Sequence, residues 1–364
     1  MVRSLALAVP AAVILVALGC GGPLPPPDPP NLAEAKDSLN RGNYWFGRGC
    51  YLEAGRFFKE SEISARLSDE VRLIIKALNS QGAAALASGD PDRAANFLAQ
   101  ALDLAQAQPG RPELDRILGN LAALAQRLGR PEDAGDLWRA AVQAAARDGS
   151  SPATYQASLA RLHLAAGRQD DFLTLADQAL AGARKAARPP VEARKEVRSP
   201  AAPKTVRPPV TVFSAGGPPR PQGPADGSEP SAFIPAGPPK PENLVLADAL
   251  NLAGQAAGLR GDQAAAERFF REALALDRQM EYTPGLAQDT EALGTLLRGG
   301  DRAGEAAGFL DRAFYLRLAL GDDQGAAQVL AALKELGSGA PANLEAYKAA
   351  LKKPESYRLE QRCP

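Results

Sequence analysis

The side chains that could support catalysis or metal binding are few and scattered along the sequence. One histidine, His163, occurs among 364 residues, so no site that needs two histidines can form, such as the H-E-x-x-H zinc site. The sequence contains neither a phosphate-binding G-x-x-x-x-G-K-[ST] loop nor a G-x-S-x-G nucleophile motif. The low content of Met and Trp gives no indication of a soft metal site. We therefore expect no catalytic residue, no metal site and no bound cofactor.

Two acidic pairs, Asp170-Asp171 and Asp322-Asp323, each follow a glycine-containing turn. Acidic residues at the start of a helix complement the positive end of the helix dipole. We prefer this structural role to that of an acid/base pair. His163 lies between Leu162 and Leu164 on a stretch that we expect to pack inward, and we interpret it as a core residue.

Three cysteines are present: Cys20, Cys50 and Cys363. Cys20 follows an apolar run from Leu5 to Leu18, which is shorter than the ~20 residues that a membrane-spanning helix needs. An exported protein can keep a disulfide, but the sequence does not reveal whether two cysteines have the required geometry. We expect Cys50 and Cys363 to be free thiols, and their pairing stays open as the alternative.

Composition favours closely packed helices over a β-sandwich. Hydrophobic residues make up 45% of the sequence and aromatic residues only 5%, and alanine supplies much of the apolar content. The 42 basic and 42 acidic residues balance. This balance argues against a general nucleic-acid-binding protein, which needs a basic field to displace counterions.

A spacing pattern that repeats along the sequence predicts where the helices and turns lie. A small residue precedes a Gly-containing turn, and then come an Ala, a bulky apolar residue four positions later and a small residue three further on. Three units show the pattern in register: Gly42, Gly49, Ala54, Phe58 and Ser61; Gly82, Gly89, Ala94, Leu98 and Ala101; and Gly254, Gly261, Ala266, Phe270 and Ala273. A self-similar unit of about 34–40 residues indicates a solenoid of helical hairpins.

Composition divides the sequence into segments. Residues 1–19 are a predicted signal peptide, and residues 20–30 form a proline-rich tether. Residues 31–181 and 243–338 form two helical arrays, and residues 339–364 form a C-terminal helix and tail. The segment 182–242 is rich in proline and basic in its first half, so we expect a disordered linker.

The repeating unit resembles the tetratricopeptide repeat family. Residues 254–277 match that family's motif best. The fourth unit along the sequence, which runs from Leu159 to Ala179, departs from the motif because Phe172 stands where Ala is expected. The resemblance implies an all-α superhelix whose first helices line a concave face. It also implies that this face binds segments of other proteins and carries out no reaction.

The N-terminus resembles a bacterial lipoprotein signal, in which an apolar stretch and a small residue precede a cysteine. Gly19 and Cys20 occupy those positions. The resemblance implies lipidation of Cys20, and Gly21 after it implies an outer-membrane protein that faces the periplasm. Together the two resemblances imply a scaffold for a cell-envelope machine of secretion, pilus, motility or cell-wall assembly.

Repeat register places a basic stripe on the concave face of the first array: Lys36, Lys76, Asn79, Arg116, Arg127 and Arg161. We expect this candidate groove to bind an acidic segment or the C-terminus of another protein, and ordinary solvated charges are the alternative. The second array offers a mixed polar set: Asp248, Asn251, Gln255, Gln288, Glu291 and Arg298. The alternative function is a structural tether whose basic linker binds peptidoglycan or another anionic cell-wall polymer.

Overall fold

The computed structural model describes residues 27–187, 241–299, 301–336, 344–359 and 363. These residues form α-helices joined by short turns, one 3-10 helix and no strand. The predicted all-α solenoid of helical hairpins is confirmed. The signal peptide, the tether up to residue 26 and residues 188–240 of the linker lie outside the described residues.

Fourteen α-helices occur in the described ranges. Those of the first array are α1 (Pro30–Gly47), α2 (Tyr51–Leu67), α3 (Val71–Ala87), α4 (Pro91–Ala107), α5 (Leu114–Arg127), α6 (Pro131–Arg147), α7 (Ala153–Ala165) and α8 (Gln169–Ala187). Those that follow are α9 (Pro241–Leu259), α10 (Gln263–Met280), α11 (Thr283–Leu297), α12 (Ala303–Ala319), α13 (Asp323–Glu335) and α14 (Leu344–Lys352). The 3-10 helix is Pro354–Tyr357.

The small residue of the motif lies where the two helices of a hairpin cross. A Cβ atom at Gly254 of α9 would lie 2.5 Å from the ring of Phe270 on α10, so only glycine allows this approach. The same contact joins Gly42 to Phe58, Gly82 to Leu98 and Gly294 to Leu310. The spacing read from the sequence therefore reports the helix crossing directly.

In the second helix of the fourth hairpin, α8, a large and a small residue exchange motif positions. Phe172 occupies the position of the motif alanine, and Ala176 occupies that of the bulky residue four positions later. Phe172 of α8 is fully buried, and its neighbours in the core include Ala153, Ala157 and Ala160 of α7. Small residues on the first helix thus make room for a large one on the second. This exchange explains how the unit keeps the fold while departing from the motif.

The two arrays pack directly against each other. Ala249, Leu252 and Ala256 of α9 share a core cluster with α7 and α8. Arg260 of α9 forms an ion pair with Asp177 of α8, with N and O 2.7 Å apart. The stack of hairpins therefore continues from α8 to α9, which the sequence did not predict.

The helices that flank the linker extend into its predicted ends. α8 continues to Ala187 and α9 begins at Pro241, so residues 182–187 and 241–242 are helical. Arg184 and Lys185, counted in the sequence as basic linker residues, lie in the last turn of α8. Pro30, counted as part of the tether, is the first residue of α1, where proline's missing N–H leaves no bond unmade.

The first hairpin and the C-terminal residues meet, and a disulfide joins them. Cys50, at the turn between α1 and α2, is bonded to Cys363, with their Cα atoms 6.0 Å apart. The expectation of two free thiols is therefore wrong. The two cysteines are 313 positions apart in the sequence, and the stacking of the hairpins brings them together. Local spacing in the sequence cannot predict this contact.

Further contacts support this closure. Arg48, in the same turn, forms an ion pair with Glu281 at the end of α10. The predicted polar tail packs back on the array, since Tyr357 contacts Tyr315 of α12 and Arg358 pairs with Asp323 of α13 at 2.7 Å. The expected short C-terminal helix is present as α14.

None of the helices in the described ranges is both long enough and apolar enough to cross a membrane. The apolar run from Leu5 to Leu18 lies outside these ranges.

Candidate functional site

The first helices of successive hairpins lie side by side where contacts join α1 with α3, α3 with α5, α7 with α9 and α9 with α11. We call the surface that the first helices line the concave face. α9 contacts both α7 and α11 across this face. A cavity of about 370 Å³ opens between α9 and α11, and a second of about 310 Å³ lies where α7, α9 and α11 meet. We call the second cavity the junction pocket, because residues of both arrays line it.

The sequence prediction for the second array agrees with these cavities. Of the six polar residues placed on the concave face by register, five line one cavity or both: Asp248, Asn251, Gln255, Gln288 and Glu291. Arg298 instead pairs with Glu335 of α13. The repeat register is therefore a sound guide to this part of the surface.

A network of side-chain amides forms the floor between the two cavities. Asn251 is buried and donates from Nδ2 to Asp289 Oδ1 at 2.7 Å. Its Oδ1 accepts hydrogen bonds from Gln255 Nε2 at 2.7 Å and from Gln288 Nε2 at 3.0 Å. These bonds fix the three amides in one orientation, which is the kind of polar surface that can recognise a peptide backbone.

Two buried carboxyl groups lie at the base of the junction pocket. Asp277 of α10 is 3% exposed and Asp289 of α11 is 1% exposed. Burial raises the pKa of both groups. For Asp277 the nearby carboxyls of Asp289 and Asp248 add to the rise. For Asp289 hydrogen bonds with Asn251 and Asp277 oppose it, and the charge of Asp248 adds to it. Asp277 Oδ1 and Asp289 Oδ2 find no hydrogen-bond donor among the described residues. The raised pKa of Asp277 keeps the pair from carrying two charges at neutral pH.

One basic side chain reaches the same pocket from the first array. Arg161 of α7, a residue of the predicted basic stripe, forms an ion pair with Asp248 of α9. Leu244, Val245 and Tyr282 supply apolar walls. The pocket thus contains three carboxyl groups and one guanidinium group.

The other residues of the predicted stripe are distributed along the first array. Lys36 pairs with Asp28 at 2.7 Å, and Asn79 of α3 accepts a hydrogen bond from Asn120 of α5 at 2.8 Å. Arg127 lies beside the turn at Gly89. The structure therefore does not gather these side chains at one point.

Lys76 and Arg116 do converge, and they meet an acid of the protein itself. Glu113, whose side chain is 7% exposed, lies 3.2 Å from Arg116, 3.6 Å from Lys76 and 3.9 Å from Arg72. Beside it, Asp115 accepts a hydrogen bond from the buried hydroxyl of Tyr155 at 3.0 Å. An acidic partner segment would have to compete with Glu113 for these cations.

The residues first considered for catalysis have structural surroundings. Asp322 caps α13 by accepting a hydrogen bond from the backbone N–H of Gly325, as an acid at a helix start should. His163 Nδ1 lies 2.9 Å from Asp171 Oδ2, and its Nε2 is buried without a partner in the described residues. Across these ranges, no group of three or more His, Cys, Asp or Glu side chains is arranged to hold a metal ion.

The sequence reading missed Asp277 and Asp289, although the repeat contains a signal for both. Eleven residues after the motif alanine, the earlier hairpins carry a fully buried alanine: Ala65, Ala105 and Ala145. Asp277 occupies the corresponding position after Ala266. Asp289, five residues before Gly294, likewise corresponds to the buried Ala77 and Ala249. A comparison of buried positions among the repeats would have identified both acids.

Comparison with known proteins supports the fold. No protein-family model matches the sequence, and no curated protein matches it. Among solved structures, the Rap conjugation gene regulator of plasmid pLS20, in complex with the Phr* peptide, aligns over 91% of this chain and 76% of its own, with a TM-score of 0.55 and 14% identity. Aspartyl phosphate phosphatase F from Bacillus subtilis aligns over 89% of this chain and 71% of its own, with a TM-score of 0.52 and 15% identity. At these identities the likeness is one of fold.

Proposed function

We propose that the protein is a non-catalytic scaffold that binds a segment of another protein along the concave face of α7, α9 and α11. The observation that carries this proposal is the fixed amide network of Asn251, Gln255 and Gln288 between two open cavities. Amides held in one orientation offer donors and acceptors to an extended backbone, and the adjoining cavities can hold its side chains.

The solved structures of similar fold are consistent with this role. The Rap regulator was solved with a peptide bound. The present protein shares its helical-hairpin architecture, and its concave face carries polar side chains and cavities of the size that ligands occupy.

We further propose that the scaffold acts in the cell envelope. The lipoprotein-like run that ends at Gly19 and Cys20 supports an anchored protein at the outer membrane, and export provides the oxidising conditions in which the Cys50–Cys363 bond persists. The tether alternative receives less support, because Arg184 of the basic set lies in α8, with its guanidinium over the ring of Phe269.

A site-specific crosslinking experiment tests the scaffold. A photoreactive amino acid at Gln255, in the larger cavity, should yield discrete adducts in native membranes, because a bound segment passes within reach of that position. The same amino acid at Asp136, exposed on α6, is the matched control.

Adducts of the same pattern and yield at both positions would contradict binding at the concave face. A Cys20→Ser variant tests the anchor in the same preparation. We expect it to leave the membrane fraction, and an unchanged partition would remove the envelope part of the proposal.

A further inference from the structure

We infer that the junction pocket binds a positively charged side chain, lysine or arginine, of the partner protein. This inference rests on the proposed function and adds the chemistry of the bound segment. It also differs from the sequence-based expectation, which assigned an acidic segment to the first array.

The charges of the pocket call for a cation. Arg161 neutralises Asp248, and the pair of Asp277 and Asp289 has no positive partner in the described part of the protein. When both carboxyls are protonated the pair carries no charge, and when one proton is lost it carries one negative charge. A single ammonium or guanidinium group would neutralise the pocket and give the unpartnered oxygens Asp277 Oδ1 and Asp289 Oδ2 a donor.

The repeat shows that the fold itself does not need these acids. Ala65, Ala105 and Ala145 fill the position of Asp277 in earlier hairpins and are fully buried there. Gly285 on α11 makes room for the larger side chain, since a Cβ atom at that position would lie 1.8 Å from Asp277 Oδ2. A carboxyl group placed where the other units bury a methyl group lowers stability unless it has a partner. A ligand that supplies this partner offsets the cost.

The shape of the pocket favours an organic cation over a metal ion. The cavity of about 310 Å³ is roughly ten times the ~30 Å³ share of one water molecule. Leu244, Val245 and Tyr282 line it together with the acids. Lysine and arginine bury an apolar stem while their charged head contacts polar groups, and this pocket offers a surface for each part.

Binding should be coupled to proton release. The charged groups around the acid pair come from each packed element: Arg161 of α7, Asp248 of α9, Asp277 of α10 and Asp289 of α11, with Tyr282 at the start of α11. An entering cation favours the singly ionised pair, so it displaces one proton from the molecules in which both carboxyls are protonated. We therefore expect affinity to rise with pH over the range in which both carboxyls still hold a proton.

The test is calorimetric titration of the full-length protein in detergent with capped tripeptides. The probe is acetyl-Ala-Lys-Ala-amide, and the arginine and norleucine analogues complete the series. We expect the lysine and arginine peptides to bind at least tenfold more tightly than the norleucine peptide. Titration in two buffers of different ionisation enthalpy should show protons released on binding.

The double variant Asp277→Ala, Asp289→Ala should lose this preference while remaining folded, because alanine occupies the equivalent positions in other hairpins. Asp136→Ala, a matched change on exposed α6, should retain it. Circular dichroism verifies folding of both variants. Equal binding of the lysine and norleucine peptides, no binding by either, or an unchanged preference in the folded double variant would overturn the inference.

A general salt effect is separated by comparing magnesium chloride with sodium chloride. Displacement of the lysine peptide by the two salts at the same ionic strength supports the inference. Stoichiometric magnesium binding that the double variant loses would instead assign the pocket to a metal ion and overturn it. If crosslinking from Gln255 succeeds while the peptide series shows no preference, the inference fails and the scaffold proposal stands. If no crosslinks form from Gln255, the result contradicts the scaffold proposal itself.

Discussion

Around Glu113 in the first array one carboxylate meets three cations, whereas in the junction pocket three carboxyl groups meet one cation. In the Glu113 cluster the buried acid has cationic partners, and the excess positive charge lies on side chains that reach solvent, so no buried charge is left without a partner. The junction pocket leaves two buried carboxyl oxygens without donors among the described residues. The comparison shows that an array of similar hairpins can devote one part of its concave face to stability and another to a ligand.

The largest expected effect is a loss of stability when the disulfide is removed. It tests whether the Glu113 cluster and the junction pocket belong to one continuous stack of hairpins. Cys50→Ser removes the bond that ties the first hairpin to the C-terminal residues across 313 positions. We expect the free energy of unfolding to fall by about 2–5 kcal/mol, because the bond restricts the unfolded polypeptide over a very long loop. Urea denaturation monitored by circular dichroism measures the loss.

Cys363→Ser should cause an equal loss, and a reductant should affect only the wild-type protein. Protease cleavage within residues 188–240 should leave two helical fragments that run together on a non-reducing gel and separate after reduction. Fragments that separate without a reductant would mean that the bond is not formed, and the two regions would then have to be compared as independent units.

The second expected effect is a dependence of the free energy of unfolding on pH, which arises from the buried carboxyls of Asp277 and Asp289. The pKa of Asp277 is raised on folding, so the folded state binds more protons than the unfolded state between pH ~4 and the raised value. Stability should therefore fall as pH rises through that window. Asp277→Ala should weaken this dependence, to which Asp289 also contributes, and should raise stability by on the order of 1–2 kcal/mol at neutral pH.

Glu113→Ala is the matched change in the other region and should have the opposite sign. It leaves Arg72, Lys76 and Arg116 without their acid, so we expect a loss of up to about 1 kcal/mol. Thermal unfolding from pH 5 to pH 9 measures both variants. If the two substitutions changed stability in the same direction, the contrast between the regions would not hold.

The smallest expected effect concerns the predicted basic stripe. Reversal of Arg116 and Arg127 to Glu should change stability by less than about 1 kcal/mol, because both side chains are exposed. If the first array also holds an acidic segment, capture of that partner should fall at least tenfold, or about 1.4 kcal/mol. Pull-down yield from the folded double variant measures this, and an unchanged yield would restrict binding to the region around the junction pocket.

Much of the fold could be predicted from the local spacing of residues in the repeat. The contact of Gly254 with Phe270 and its three equivalents follow from the motif, because a helix crossing needs a small residue opposite a large one. The same register placed Asp248, Asn251 and Gln288 on the concave face. These features depend on residues within one hairpin or in the next, and a repeating sequence displays such relations.

Contacts between residues far apart in the sequence could not be predicted from local spacing. The packing of α8 on α9 bridges the whole linker, and the Cys50–Cys363 bond depends on how the twist of every hairpin adds up. The acid pair was missed for another reason. Asp277 precedes Arg278 near a helix end, where a charged residue usually faces solvent, and only its register against Ala65, Ala105 and Ala145 indicates burial.

The disulfide can form only late in biosynthesis. Cys50 is synthesised early, but its partner Cys363 follows only after all fourteen helices of the described ranges. Until then Cys50 is an unpaired thiol, and Cys20 is much nearer along the sequence. The expected lipidation of Cys20 would remove the one competing cysteine. Maturation of the N-terminus would then protect the correct pairing of Cys50 with Cys363.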